Sequence, residues 1–226
     1  MKRYCIILAA LLFSFSAMAQ NFNQTDSKGR RQGPWRDFYD NGQLRYEGQF
    51  KNGNCKGIFR YYDEQGNLKA TNEFDKSGEK ALNKTYAPNG RVIATGYYLN
   101  KKKEGEWKYY DPNSGQLRLV EDNKAGKVHG WSRLYNPNNG VLAEETHFVE
   151  GQPEGQCKKY SDSGILIMEC QYQNGLLEGP TKTYYPNTAL KEEGQYTKGQ
   201  KTGIWKTYNE DGDVIAEEAF GEQEIR

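Results

Sequence analysis

Small, aromatic, turn and aliphatic positions recur along this chain at a nearly constant interval, and that interval predicts its elements. A small residue is followed five positions later by an aromatic one, then by a turn residue, and two positions after that by an aliphatic one. The small residues are Gly33, Gly57, Ala81, Gly105, Gly130, Gly155, Gly179 and Gly203. Successive units are therefore 24 or 25 residues long, and a fixed interval of this size indicates a repeat architecture.

The residues inside each unit predict a β-hairpin. The aromatic position holds Phe38, Tyr62, Tyr86, Tyr110, Tyr135, Tyr160, Tyr184 and Tyr208, and the aliphatic position holds Leu44, Leu68, Val92, Leu117, Leu142, Leu166, Leu190 and Val214. Between the two lie turn-forming residues. In the third unit Pro88 presets φ for the first turn position, and Gly90 takes a positive φ at no steric cost. The sequence therefore predicts an all-β fold, an elongated antiparallel meander of eight tandem hairpins with sixteen strands.

The turn allows two registers, and a shift of one residue would move every side chain to the other face of the sheet. A three-residue loop with a glycine bulge would place Phe38 opposite Leu44 on a shared core face. A two-residue loop would instead place Lys206 opposite Glu217. The turn chemistry of Pro88 favours the three-residue loop, while the charge pairing keeps the two-residue loop open.

The N-terminus predicts export. Residues 1–19 combine a basic start, a ten-residue apolar run and the small-x-small pattern Ala17-Met18-Ala19, which is typical of a cleaved signal peptide. Residues 20–32 form a polar lead-in that could cap the array, and the eight repeats then occupy residues 33–226. No later segment is apolar enough to predict a transmembrane helix. We therefore expect a periplasmic, cell-surface or secreted protein.

Composition narrows the classes of partner. The formal net charge is +1, far from the strongly basic balance that nucleic-acid binding requires. Aliphatic residues are scarce, but the chain has 17 Tyr, 4 Trp and 25 Gly. Its order must therefore come from aromatic side chains on sheets and from tight turns.

Several units resemble a variant of the MORN repeat found in many bacterial proteins. The resemblance is carried by segments such as Gly105-Glu106-Trp107-Lys108-Tyr109-Tyr110 and Gly194-Gln195-Tyr196-Thr197-Lys198-Gly199, and it extends from residue 33 onward. The sequence departs from it at Ala81 in place of glycine, at Asn83 and Ser132 in place of tryptophan, and in the weak stretch 119–127. The resemblance implies a hairpin array that serves as a scaffold or recognition surface. Members of this family are linked to membranes and to protein partners, and bacterial members are often labelled antitoxin-like.

Residues typical of catalysis do not converge in this sequence. His129 and His147 are the only histidines, they lie in different repeats, and no Ser or Cys nucleophile stands at a recognisable spacing. The glutamates at 47, 145, 169, 193 and 217 recur as copies of one strand position, whereas a glycosidase needs one carboxylate pair set apart by its environment. Three scattered cysteines do not suggest a zinc site. We expect no enzyme activity, no cofactor and no metal.

Two columns of side chains are candidates for a binding face. One is basic in all eight units, at Arg36, Arg60, Lys84, Lys108, Arg133, Lys158, Lys182 and Lys206; the other is aromatic, at Trp35, Phe59, Trp107 and Trp205. The basic column either pairs with the recurring glutamates or meets an anionic partner. The aromatic column either packs over glycines of neighbouring strands or forms a stripe for a carbohydrate or peptide.

The exported chain would keep Cys55, Cys157 and Cys170, an odd number that leaves at least one thiol unpaired. Cys157 and Cys170 lie on the two strands of one hairpin and could meet only in the two-residue register. The favoured three-residue register therefore predicts that both are free thiols.

Taken together, these features predict a non-enzymatic exported scaffold that binds a protein partner along one face of its sheet. A glycan or cell-envelope binding module and an extracytoplasmic immunity protein that neutralises a toxin are the alternatives.

Overall fold

A computed structural model describes residues 21–221, and its regular elements are all β-strands. They are β1 (Gln24–Thr25), β2 (Arg31–Phe38), β3 (Leu44–Lys51), β4 (Asn54–Tyr62), β5 (Leu68–Phe74), β6 (Lys80–Tyr86), β7 (Val92–Leu99), β8 (Lys102–Tyr110), β9 (Leu117–Lys124), β10 (Lys127–Tyr135), β11 (Leu142–Val149), β12 (Gln152–Tyr160), β13 (Leu166–Gln173), β14 (Leu176–Leu177), β15 (Gly179–Tyr184), β16 (Leu190–Thr197), β17 (Gln200–Tyr208) and β18 (Val214–Phe220). Successive strands pair antiparallel in one elongated sheet of 18 strands, except that β14 and β15 both pair with β13. The predicted all-β meander is confirmed.

Two short strands account for the difference from the predicted sixteen. β1 belongs to the polar lead-in and lies against the edge of β2, where Gln24 pairs with Gln32. β14 is a two-residue segment beside β13, which also pairs with β15. The predicted signal peptide, residues 1–19, lies outside the described residues.

Six of the eight hairpins close with the predicted three-residue loop, and the fourth and fifth have one additional loop residue. In the first one, the Tyr39 amide donates to the Gln43 carbonyl at 2.8 Å, and the Gly42 amide donates to the Tyr39 carbonyl at 2.9 Å. Gly42 takes φ of 81°, a left-handed conformation that glycine adopts without strain. Phe38 pairs with Leu44, as the three-residue register requires.

A β-bulge immediately beyond this pair changes the register of the rest of the hairpin. Asp37 pairs with Tyr46, so Arg45 is left as the extra residue, and Trp35 then pairs with Gly48. The same shift occurs one step after the aromatic–aliphatic pair in all eight hairpins. The three-residue loop is therefore correct at the turn, whereas the pairing expected from a two-residue loop holds in the body of the hairpin.

The bulge makes the cysteine prediction wrong. Cys157 and Cys170 are direct partners on β12 and β13, and their sulfurs form a disulfide with a Cα–Cα distance of 5.0 Å. Cys55 is the free cysteine among the described residues.

A second irregularity lies between hairpins, at the first glycine of the repeat. Gly57 has φ of 66°, and the residues Gly57, Ile58 and Phe59 together lie opposite Gly48 alone. Ala81 is the exception, because pairing runs unbroken from Phe74–Ala81 to Ala70–Thr85. In the other repeats the unpaired residues lie within the strands, next to the first glycine. In this repeat they lie in a longer turn between the two hairpins, residues 75–80.

The core of the sheet lies on the face that carries the aromatic column. Phe59, Trp107 and Trp205 are 2%, 1% and 3% exposed. The core face predicted from the pair Phe38 and Leu44 is wrong, since Phe38 is 53% exposed. Phe38 and Trp35 lie three residues apart on one strand and therefore on opposite faces, and the bulge places Gly48 opposite Trp35.

Candidate functional site

The nine candidate binding residues lie on two opposite faces of the sheet, because successive strand residues point to opposite sides. Trp35, Phe59, Trp107 and Trp205 lie on one side, called here the packing face. Arg36, Arg60, Lys108, Arg133 and Lys206 lie on the other, called here the ladder face. The predicted set therefore does not form a single binding face.

On the packing face, aromatic rings cover glycines of the neighbouring strand. A Cβ built on Gly48, Gly96 or Gly194 would overlap the ring of Phe59, Trp107 or Trp205, respectively. The indole N–H of Trp107 donates to the Tyr97 carbonyl at 3.0 Å, which fixes the ring. These aromatic side chains pack within the sheet, as one of the two interpretations of the sequence expected.

On the ladder face, the basic column pairs with the recurring glutamates. Arg36 lies 3.2 Å from Glu47, and Lys206 lies 3.5 Å from Glu217. Arg133–Glu145, Lys158–Glu169 and Lys182–Glu193 follow the same pattern at 3.6, 3.9 and 3.8 Å. The basic column is therefore neutralised at both ends of the sheet by cross-strand ion pairs.

A tyrosine from the next repeat completes several of these pairs. Tyr160 donates its hydroxyl to Glu145, and Tyr184 donates to Glu169, both at 2.8 Å. Tyr62–Glu47 at 3.3 Å and Tyr208–Glu193 at 2.8 Å repeat the contact. Burial, followed by the hydrogen bond to the glutamate, raises the pKa of Tyr160 and of Tyr184 to about 12. The sequence analysis missed this contact, although the constant 15-residue separation between the two columns could have indicated it.

The ladder face changes in its middle section, where the glutamate column holds Thr71, Thr95 and Val120. Lys84 lies between Thr71 and Thr95 on the neighbouring strands. Neither Arg60 nor Lys84 forms an ion pair within residues 21–221, and Lys108 pairs with Glu106 on its own strand at 3.0 Å. Positive charge is therefore least compensated at Lys84, whereas Arg60 lies opposite Glu47, which pairs with Arg36.

The packing face contains a pocket of about 960 Å³ in the same section. Asn83 stands there in the aromatic column, between Asn72 of the preceding hairpin and Gly96 of its own hairpin, and Asn72 occupies the position that holds Gly48 and Gly96 in the hairpins on either side. The sequence analysis noted Asn83 as a departure from the repeat but did not connect it with Asn72. Asn72 departs from the glycine column and Asn83 from the aromatic column, and the two positions are paired. Noting both departures together would have located this pocket.

The histidines make local contacts. His147 Nδ1 lies 2.9 Å from the Glu154 carbonyl, with its ring packed edge-on against Trp131, and His129 Nδ1 lies 3.6 Å from Glu150. Within the described part of the chain, no cluster of His, Cys, Asp and Glu side chains is arranged to hold a metal ion. The same residues contain no helix of the length and apolarity needed to cross a membrane.

Comparison with solved structures gives low similarity. A crystal structure of TarM aligns at 19% identity with a TM-score of 0.33, covering 44% of this chain and 19% of that one. A mutant of the S. aureus TarM aligns at 18% identity and the same TM-score, over 43% of this chain and 19% of that one. The TcdB2-TccC3-Cdc42 structure aligns at 12% identity with a TM-score of 0.21, over 76% of this chain and 12% of that one. This chain thus spans less than a fifth of each, and no curated protein matches it.

Comparison with protein families identifies the hairpins. The family model described as MORN repeat variant matches residues 31–52, 153–174 and 201–220. These segments are the first, sixth and eighth hairpins of the sheet, and the other five share their bulge and pairing pattern. The chain therefore contains hairpins that match the MORN repeat variant.

Proposed function

We propose that this chain is a non-enzymatic exported scaffold whose ladder face binds an acidic surface of a protein partner. The observation that carries the proposal is the charge of Lys84, which has threonine on both sides, together with that of Arg60, which faces Thr71 on one side and shares Glu47 with Arg36 on the other. Their neighbours Thr71 and Thr95 occupy the column that supplies glutamates at both ends of the sheet. In this section, carboxylates of a partner would take the place of the absent glutamates and pair with the basic side chains.

Electrostatics and composition support this surface. Exposed ion pairs contribute little to folding stability, typically less than about 1 kcal/mol each. Unpaired cations on the ladder face therefore affect the binding of a charged partner more than they affect the stability of the fold. Complementary charge increases association rates and excludes wrong partners. Tyrosines are enriched at protein interfaces, and a column of them lies beside the basic residues.

Two features support export. Residues 1–19 have the pattern of a signal peptide. In addition, Cys157 and Cys170 form a disulfide, and disulfides persist mainly in oxidising compartments such as the periplasm and the extracellular space.

A crosslinked pull-down from envelope extract, read by mass spectrometry, tests the proposal. The double variant Arg60→Glu/Lys84→Glu should lose the captured protein, because it reverses the charge of the two cations proposed to meet the acidic surface of the partner. The control Lys182→Glu/Glu193→Lys exchanges the members of an ion pair and should retain the protein. Equal capture by both variants, or no specific protein captured by the unmodified chain, would contradict the proposal.

A further inference from the structure

The packing face carries a stack of aromatic rings that is interrupted at one place. Phe59 lies between Phe50 and Phe74, with ring centroids 5.1 and 5.3 Å apart and the planes nearly perpendicular. Beyond the interruption, Tyr98 and Trp107 continue the stack at 4.9 Å. In a regular repeat, the ring of the aromatic column therefore fills the space between two flanking rings. This space is called the slot below.

Asn83 leaves this slot without a ring. Phe74 and Tyr98 flank it, because both pair with Ala81, whose side chain is 2% exposed and forms part of the base. The pocket of about 960 Å³ opens at this point, with Phe74, Ala81, Asn83 and Tyr98 among its lining residues. Its aromatic walls are thus set apart by the width of the absent side chain.

The base of the slot is polar. The Asn83 amide donates to Asn72 Oδ1 at 2.7 Å, and the Thr85 hydroxyl donates to Asn83 Oδ1 at 3.0 Å. The Asn83 amide also donates to the Thr71 carbonyl at 3.4 Å, so its two donors are occupied and one acceptor position of its oxygen is left for a ligand. Tyr61 also lines the pocket, and burial raises the pKa of its hydroxyl. A purely apolar ring would leave this polar base unsatisfied, at a cost in binding.

The rim of the pocket carries more positive than negative charge. Lys69 and Lys101 line it, together with one carboxylate, Glu79, whereas a third cation of the lining, Arg45, is ion-paired with Asp37. Lys69 and Lys101 are exposed. A ligand with a negative group beside its ring would therefore be favoured over a neutral one.

We infer that this pocket binds one pyranose ring of an acidic saccharide. The C–H face of a sugar ring stacks on aromatic walls such as Phe74 and Tyr98, while its hydroxyls can exchange hydrogen bonds with Asn72, Asn83 and Thr85. A carboxylate on the sugar would meet the lysines of the rim. This site goes beyond the proposed protein scaffold, since it lies on the opposite face of the sheet.

The direct test uses oligogalacturonate as the acidic probe and cellotetraose as a neutral one of similar length. Binding to the full chain is measured by titration calorimetry. Cys55 lines the pocket and is a free thiol, so protection of Cys55 from maleimide, followed by peptide mapping, shows that the probe occupies this site. We expect oligogalacturonate to bind at least tenfold more tightly than cellotetraose and to protect Cys55.

Two sets of variants test the residues. Asn72→Gly/Asn83→Trp restores the ring-over-glycine pair of the neighbouring repeats, so it should fill the slot and reduce affinity at least tenfold. Lys69→Ala/Lys101→Ala changes only exposed rim residues and should weaken the acidic probe without affecting folding. Lys84→Ala, adjacent to Asn83 in sequence but exposed on the ladder face, is the matched control and should bind normally.

Several outcomes would overturn the inference. They are no binding of oligogalacturonate, equal binding of the neutral probe, undiminished binding by the filled or rim variants, or preferential binding of tryptophanamide as an aromatic side-chain mimic. Because the pull-down depends on Arg60 and Lys84, its failure is distinguishable from failure of the saccharide test.

Discussion

The ring of Trp107 lies over Gly96 so closely that even a methyl group at position 96 would overlap it. We predict that Gly96→Ala lowers the free energy of unfolding by about 1–3 kcal/mol, the usual cost of overpacking a core. Urea denaturation followed by tryptophan fluorescence measures this. Gly221→Ala, where no atom lies within 4 Å of the added Cβ, is the control and should be nearly neutral. Equal stability of the two variants would show that the ring does not rest on the glycine.

The disulfide between Cys157 and Cys170 should stabilise the sixth hairpin. It closes a loop with a sequence separation of 13 residues, for which chain-entropy arguments give about 3 kcal/mol. We predict that non-reducing peptide mapping of exported protein recovers the crosslinked peptide. Cys157→Ser/Cys170→Ser should unfold at lower urea concentration, while Cys55→Ser should not. Quantitative labelling of all three thiols in unreduced protein would contradict this prediction.

The tyrosine–glutamate contacts should make stability fall at high pH. The pKa of Tyr160 rises from 10.0 to about 12 on folding, so its contribution is complete below pH 10 and is lost as the pH rises towards 12. We predict that Tyr160→Phe reduces the loss of stability between pH 10 and pH 12, measured by urea denaturation across that range. Tyr86→Phe is the control, because the Tyr86 hydroxyl faces Thr71 and not a carboxylate. An identical slope in the Tyr160→Phe variant and the unmodified protein would contradict the assignment.

The left-handed glycines at the start of the repeats should resist substitution even where there is room. Gly105 has φ of 68° and no atom within 4 Å of an added Cβ. We predict that Gly105→Ala costs about 1–2 kcal/mol through backbone conformation alone, and that Gly105→Asn costs less because asparagine tolerates this region better. Thermal unfolding of the two variants gives the comparison. A smaller loss for alanine than for asparagine would rule out this explanation.

The period and the turn chemistry were predictable because they depend on residues close together in sequence. Gly42 and Pro88 mark three-residue loops, and the structure has them. The body of each hairpin was not predictable in the same way. One bulged residue such as Arg45 reverses which side chains share a face, and neither the hydrophobic pattern nor the turn determines where a bulge falls.

The functional surfaces were predictable only in part. The basic column was evident from sequence, but its compensation depends on the register, which places Arg36 beside Glu47 and Lys84 between two threonines. The pocket depends on Asn72 and Asn83 facing each other across two strands. A pattern read along one strand shows each as an isolated departure from the repeat, and only the pairing makes them one site.

The unbroken pairing at Ala81 has a consequence for the whole array. Hairpins of identical construction are related by translation, so a ligand that recognises one of them could bind equally well a whole repeat further along. The third repeat removes that degeneracy, since its longer turn at residues 75–80, its asparagine pair and its uncompensated Lys84 occur together at one place. It therefore marks one position along the sheet, so that a molecule bound there is distinguished from the same molecule bound one repeat away.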